Sequence, residues 1–264
     1  MELQEIEARL GFALRASEEV AAVILRYYQE SGVNVERKGD ATPVTDADRK
    51  AEELLRKAIE KNFPDDGVFG EEFGEQEGQS GGRWVLDPID GTKAFVTGVP
   101  LFGTLVGFQW QGEPVVGVCR FPALQEVVFA GKGYGTWWIP QGKKPRRVWV
   151  SPVDRLEQAT VCYTELSGWE QTRRTQQLLA LCSKAELVRG WGDCFGHMLV
   201  ATGRAEVMLD PLLNEWDAAA LIPIIQEAGG HFLDWQGQPT NGNGCGISVS
   251  DKLKDQLFQV LNSF

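Results

Sequence analysis

The residues best suited to chemistry stand in the run Asp87-Pro88-Ile89-Asp90-Gly91-Thr92. Two aspartates three positions apart are separated by a proline that fixes its own φ and donates no hydrogen bond, so the run is expected to leave the preceding strand as a rigid loop. Such a loop can direct both carboxylates and the Ile89 carbonyl to one point, and an oxygen-only ligand set suits a hard divalent cation. Gly91 and Thr92 then read as the opening of a short helix, whose unpaired N–H groups make a ready phosphate site. Cation ligands beside an anion cradle point to metal-assisted phosphoryl transfer. An Asp-Pro turn followed by an Asp-Gly turn is the structural alternative.

The other acids are weaker signals taken singly. Gly70-Glu71-Glu72 opens an acidic, glycine-rich stretch in which carboxylates are usually solvated. Trp216-Asp217 heads an apolar helical stretch, where an aspartate suits the helix dipole and caps free N–H groups. Thr45-Asp46-Ala47-Asp48 has the spacing of a capping box, with Thr45 at the N-cap and Asp48 three residues on. His197 and His231 form no ligand-spaced pair. Cys119, Cys162, Cys182, Cys194 and Cys245 are odd in number and contain no C-x-x-C, which fits reduced structural thiols in a reducing compartment. Chemistry is therefore not expected to run on histidine.

Elements that must position these residues follow from periodicity. Apolar residues recur at helical spacing from Leu3 to Tyr28 and again from about Asp46 to Asn62, where Asn62-Phe63-Pro64 is a stop signal. Gly70 to Gly82 reads as an exposed loop, followed by a strand at Arg83–Leu86. Further strand-like stretches lie at Leu101–Trp110, Val115–Phe121 and Glu126–Ala130. The basic, proline-containing segment Gly142 to Arg147 is taken as a boundary between two halves, 1–142 and 143–264. Beyond it, strands near Thr160–Tyr163, Glu186–Val188 and Glu206–Leu209 alternate with helices near Arg173–Ser183, Phe195–Thr202 and Asp217–Ala228, and a last helix follows Ser250. That alternation predicts a layered α/β fold.

Composition narrows the function. A formal net charge of −11 argues against nucleic acid as a partner, because phosphate backbones select basic surfaces. No stretch approaches the ~20 apolar residues of a membrane span, and the opening MELQEIEARL does not read as a signal peptide. A cytoplasmic location is the resulting expectation. Trp137, Trp138, Trp149 and Trp169 have no evident role, and a subunit interface and core packing are both open for them.

Together the motifs form an ordered set: Lys38-x-Asp40-x-Thr42-Pro43-Val44-Thr45-x-Ala47-Asp48, Gly70-Glu71-Glu72, Asp87-Pro88-Ile89-Asp90-Gly91-Thr92 and Trp216-Asp217-x-Ala219-Ala220. This set resembles the inositol monophosphatase family of magnesium-dependent, lithium-sensitive phosphatases, from roughly Leu10 to Val260. The resemblance implies an αβαβα sandwich, two to three Mg2+ ions per site, inhibition by Li+, and a homodimer acting on a small phosphate ester. It implies Glu71, Asp87 and the Ile89 carbonyl as ligands of a first magnesium and Asp87, Asp90 and Asp217 as ligands of a second. A third, weaker ion would also use Glu71. It implies Asp48 and Thr92 as the pair that orients and helps deprotonate the attacking water, and the Gly91 and Thr92 N–H groups as phosphate donors. Metals lower the pKa of water, neutralise phosphate and stabilise the leaving alkoxide, so no covalent intermediate is required.

The run from Asp87 through Gly98-Val99-Pro100-Leu101-Phe102-Gly103-Thr104-Leu105, and Trp191-Gly192-Asp193-Cys194-Phe195-Gly196, are similar to the histidinol-phosphatase branch of that family. Histidinol phosphate carries an ammonium and an imidazole, and a carboxylate at Asp193, with Asp210 and Glu215 as further candidates, would favour such a cation. Asp193 as a helix cap is the structural alternative. Inositol 1-phosphate and fructose 1,6-bisphosphate are the alternative substrates, and a catalytically silent metal- or phosphate-binding relative is the remaining class.

Overall fold

Helix α1 (Leu3–Ile24) turns Ile6, Leu10, Ala13, Val20 and Ile24 onto one buried face, the spacing of an amphipathic helix. The computed structural model describes residues 1–30, 35–37, 43–242 and 244–264, so Lys38, Asp40 and Thr42 of the first motif lie outside the described residues. A ribbon of β1 (Val35–Arg37) and β2 (Pro43–Thr45) leads into α2 (Asp46–Asn62), whose bounds are those expected from the sequence.

Both helices cover one face of an eight-stranded sheet. Its strands are β3 (Gly67–Gly70), β4 (Gly74–Gln76), β5 (Gly82–Asp90), β6 (Gly103–Trp110), β7 (Glu113–Phe121), β8 (Glu126–Gly131), β9 (Gly135–Ile139) and β10 (Arg146–Val148), in the order β10-β9-β8-β7-β6-β5-β3-β4. The short helix α3 (Thr92–Val96) follows β5 directly. The rest of the chain supplies β11 (Thr160–Tyr163), α4 (Leu166–Gln171), α5 (Thr175–Cys182), β12 (Leu187–Arg189), α6 (Asp193–Ala201), β13 (Val207–Asp210), α7 (Glu215–Ala218), α8 (Leu221–Glu227), β14 (Gly230–Leu233), β15 (Gly246–Ser250) and α9 (Asp251–Leu261). A five-stranded sheet of order β12-β11-β13-β15-β14 results.

Three apolar cores separate five layers. Ile6 and Leu55 of the first helices pack with Trp84 and Phe108 of the large sheet. Leu105 and Phe121 from the sheet's other face meet Met198 of α6 and Ile224 of α8, which also pack on Met208 and Phe232 of the small sheet. Leu178 and Leu181 of α5 with Leu253 and Leu257 of α9 cover the outer face at Val207 and Ile247. The order helix, sheet, helix, sheet, helix is the layering expected.

Local differences from the sequence reading have physical causes. Asp87–Asp90 is not a loop but the end of β5, a central strand between β6 and β3. Its register slips there, since Asp87 faces Leu105 whereas Asp90 faces Gly103. A proline has no ladder donor, and a bulge is where a central strand tolerates it. The stretch after Gly70 is a hairpin, with β4 paired to β3. The helix expected over Asp217–Ala228 is two helices, because Pro223 cannot donate to the Ala219 carbonyl and the ladder breaks there. Strands β1, β2, β3, β9, β14 and β15 and helix α4 had no sequence expectation, and Arg146–Val148, at the end of the segment taken as a boundary, is strand β10 paired to β9.

Three of the four unassigned tryptophans are packed. Trp169 is fully buried, edge-on to Trp235. Trp138 lies between the Arg146 and Arg204 guanidinium groups at 4.4 and 4.2 Å, and Trp137 donates its indole N–H to the Tyr134 carbonyl. Trp149 is exposed beside Arg147.

Two glycines let the middle layer approach the large sheet. Gly107 and Gly117 face each other on β6 and β7. A Cβ on Gly117 would stand 2.0 Å from the Ala220 carbonyl oxygen, and one on Gly107 2.9 Å from the Ala219 carbonyl carbon. This bare groove seats the α7–α8 junction just after Asp217. Gly117→Ala is expected to destabilise the fold by about 1–3 kcal/mol through overpacking, read as a lower urea midpoint; an unchanged midpoint would remove the groove as a constraint.

Candidate metal and phosphate site

The site is assembled from ends of elements. Thr45, at the N-cap of α2, accepts from the Ala47 N–H at 3.2 Å. Asp48 completes the capping box: one of its oxygens, Oδ2, accepts the Thr45 N–H at 2.9 Å and the Thr45 hydroxyl at 2.5 Å. Its other oxygen, Oδ1, is buried and has no hydrogen-bond partner among the described residues. The bulged end of β5 bends so that Asp87 Oδ1 accepts the Ile89 N–H at 3.0 Å, while the Ile89 carbonyl accepts the Thr92 hydroxyl at 3.0 Å. Gly91 supplies the left-handed conformation (φ 79°) that turns β5 into α3. At the start of α7, Asp217 Oδ2 accepts the Asn214 N–H at 2.7 Å.

The end of β5 and the starts of α3 and α7 wall a cavity of about 460 Å³. Asp87, Asp90 and Asp217 each offer an oxygen there, and the three oxygens lie within 4.8 Å of one another. Glu71, the Ile89 residue, Gly91, Thr92 and Asp193 line the same cavity. Asp48, Asp210 and Glu215 are not among its lining residues. Glu215 turns to the large sheet, where Arg83 Nη1 donates to it at 2.6 Å and Gln109 Nε2 at 2.9 Å. Asp210 is buried in β13 and accepts the Leu212 N–H.

Electrostatics follow from crowding acids out of water. Burial, and then the Glu71, Asp90 and Asp217 carboxylates, hold Asp87 well above the ordinary aspartate range. Burial, then Asp193 and Asp217, do the same to Asp90. Burial pushes Asp217 up to about 7, against the lowering effect of the Asn214 N–H. Burial also raises Asp48 to about 7 despite its bonds from Thr45. Carboxylates facing one another under these conditions call for a proton or a cation between them. The oxygen-only donor set of Asp87, Asp90 and Asp217 fits a hard divalent cation.

Asp193 opens α6 with a left-handed backbone (φ 54°), a conformation that aspartate tolerates better than most residues. Gly192 is the N-cap, so the Asp193 side chain is not the cap. The first turn of α6 is instead tied by Asp90, whose Oδ2 accepts the Cys194 N–H at 2.6 Å between the large sheet and the middle layer. Asp193 Oδ2 lies 3.2 Å from where a Cβ on Gly91 would stand, and burial, then Glu165, raise its pKa to about 6. Sequence reasoning passed over the Lys93–Glu165 ion pair at the rim; the signal was a lysine directly after Thr92. His197 is buried against Ser248 and Phe232 and His231 pairs with Asp251, both away from the cavity walls.

The raised carboxylates carry a pH consequence. The metal-free folded protein binds more protons than the unfolded chain between about pH 4 and pH 7, so its stability falls as pH rises through the folded pKa values of about 7 at Asp48 and Asp217. In chelator, the melting temperature is expected to rise by ~3 °C or more from pH 8 to pH 6, and Asp217→Asn should raise it at pH 8. A flat profile in both proteins would contradict the repulsion.

The sequence profile of the inositol monophosphatase family matches residues 5–263. The chain is 44% identical over 255 residues to a histidinol-phosphatase of Chlorobaculum parvum, covering 96% of each chain. It is 30% identical to a fructose-1,6-bisphosphatase/inositol-1-monophosphatase of Thermotoga maritima, again with 96% of each covered. Its fold superposes on the extragenic suppressor protein suhB from Bartonella henselae with a TM-score of 0.89 at 28% identity, covering 97% of this chain and 99% of that one. On the family profile and these two relatives, the chain belongs to the inositol monophosphatase family.

Proposed function

We propose that this protein is a Mg2+-dependent phosphatase that hydrolyses histidinol phosphate to histidinol and phosphate. The carrying observation is that one cavity holds both the Asp87, Asp90 and Asp217 cluster and, against Gly91, the Asp193 carboxylate. The likeness to the Chlorobaculum parvum histidinol-phosphatase supports the same substrate.

Glu71, Asp87, the Ile89 carbonyl, Asp90 and Asp217 are the groups proposed to hold two to three Mg2+ ions. Once bound, the metal supplies Lewis-acid neutralisation of the phosphate and a lower pKa for the attacking water. Asp48 Oδ2 is fixed by Thr45 and its Oδ1 is not, so Oδ1 is the atom proposed to take the proton from that water. A pKa of about 7 suits a base near neutrality. Thr92, held on the Ile89 carbonyl, orients the water. The Gly91 and Thr92 N–H groups receive phosphate oxygens at the turn into α3. Asp193 binds the cationic end of the leaving alcohol through a charge-assisted hydrogen bond. Asp210, which adds to the raised charge environment beside Asp193, and Glu215, which holds the α7 turn through Arg83, act on this wall from behind it.

The halves 1–142 and 143–264 divide the labour, the first with most ligands, the second with Asp217 and Asp193. Inhibition by Li+, a homodimer and cytoplasmic residence complete the reading, the last supported by five free thiols. No described helix is long and apolar enough to cross a membrane. The Thermotoga maritima relative favours a second reading, a broad sugar-phosphate phosphatase acting on inositol 1-phosphate or fructose 1,6-bisphosphate.

Phosphate release with Mg2+ on the three esters separates the readings. A kcat/KM preference of ~100-fold for histidinol phosphate, roughly 2.7 kcal/mol of transition-state discrimination, is expected, and Asp193→Asn should erase most of it. Comparable rates on the polyol phosphates would establish the second reading instead. Asp90→Asn should reduce turnover by at least ~100-fold, and full turnover would remove Asp90 from the metal assignment.

A further inference from the structure

Glu52 is a fully buried carboxylate outside the cavity walls. It stands four residues after Asp48 on α2, hence on the same face of the helix. Its Oε2 accepts the Glu72 N–H at 2.8 Å and its Oε1 the Phe73 N–H at 3.2 Å. These successive N–H groups belong to the hairpin turn between β3 and β4, the turn that carries Glu71. Arg56, one further turn along α2, donates its Nε to Glu52 Oε1 at 2.7 Å and its Nη2 to the Gly74 carbonyl. Gly70 completes the enclosure: a Cβ there would stand 2.1 Å from Glu52 Oε1. The Gly70–Gly74 turn is thus gripped at two N–H groups and one carbonyl by the Glu52–Arg56 ion pair.

We propose that Glu52 is a positioning residue that sets the divalent-cation affinity of the site by fixing the backbone turn from which Glu71 projects. A two-N–H cradle binds a carboxylate strongly because both donors point at one charge. Burying that charge is tolerated only with Arg56 beside it, so the grip is either complete or absent. The helix that presents Asp48 also holds the Glu71 turn, and the proposed base and the proposed ligand move as one body. The inference rests on Glu71 being a cation ligand.

The test is calorimetric Mg2+ binding to the metal-free protein, alongside the Mg2+ concentration for half-maximal phosphate release. In Glu52→Gln, one amide nitrogen must face an N–H donor. The expected result is a binding constant and an activation constant both weakened about tenfold or more, as for other groups that orient metal ligands, with kcat at saturating Mg2+ largely restored. Glu53→Gln, at the exposed neighbour paired with Lys50, should change neither constant. If Glu52→Gln does not fold, Gly70→Ala forces the Glu52 carboxylate aside with every charge kept and should weaken Mg2+ in the same way. Unchanged Mg2+ affinity in whichever of the two folds overturns the proposal, provided Glu71→Gln weakens it. Unchanged affinity in Glu71→Gln as well overturns both this inference and the ligand role of Glu71.

Discussion

Everything in this fold answers to one constraint: acidic groups must be held facing one another out of water, with no lysine or arginine among the described residues paired to Asp87, Asp90 or Asp217. The molecule meets it by pinning one carboxylate oxygen of each group to a backbone N–H. Asp48 is held by Thr45, Asp87 by Ile89, Asp90 by Cys194 and Asp217 by Asn214. A neutral donor orients a carboxylate without cancelling its charge, whereas a lysine or arginine would compete with any incoming cation. Burial first, and neighbouring carboxylates after it, raise the pKa values of all four. Burial of like charges is unfavourable until a cation or protons arrive.

Backbone donors of that kind exist only where regular structure begins or breaks. A helix N-terminus has free N–H groups, and a bulge frees them within a strand. The site therefore sits at the first turns of α2, α6 and α7 and at the bulged end of β5. Asp90 joins two layers, since it stands on the large sheet and ties the first turn of a helix from the middle layer. The Gly107–Gly117 groove seats Ala219 and Ala220, two and three residues after Asp217. Stability and the site share the same contacts, and part of the stability is given up to the crowded acids.

The wall facing the cluster has a different logic. Asp193 is carried in a left-handed backbone at a helix start, a conformation maintained by the surrounding packing. It lies near Glu165, which is itself paired to Lys93 at the rim. The Asp193 carboxylate stands against Gly91, beside the turn from β5 into α3.

The sequence by itself determined the local parts. The capping box at Thr45 and Asp48, the bounds of α2, the Gly91 turn and the alternation that makes a layered fold were all legible, because caps, turns and helical faces depend on residues a few positions apart. The strand assignment of Asp87–Asp90 was not legible: proline argues against a central strand, and only the register slip against β6 makes room for it. Nor was the direction of Glu215, which Arg83 and Gln109 hold from more than a hundred residues away in the chain. The grip of Glu52 on the turn after Gly70 joins residues 20 and 21 positions apart through a glycine that only the packed structure shows to be obligatory. Short-range hydrogen bonding is written in neighbouring residue types, whereas the meeting of carboxylates from residues 87, 90 and 217 is decided by how five layers pack, and packing is a property of the whole chain.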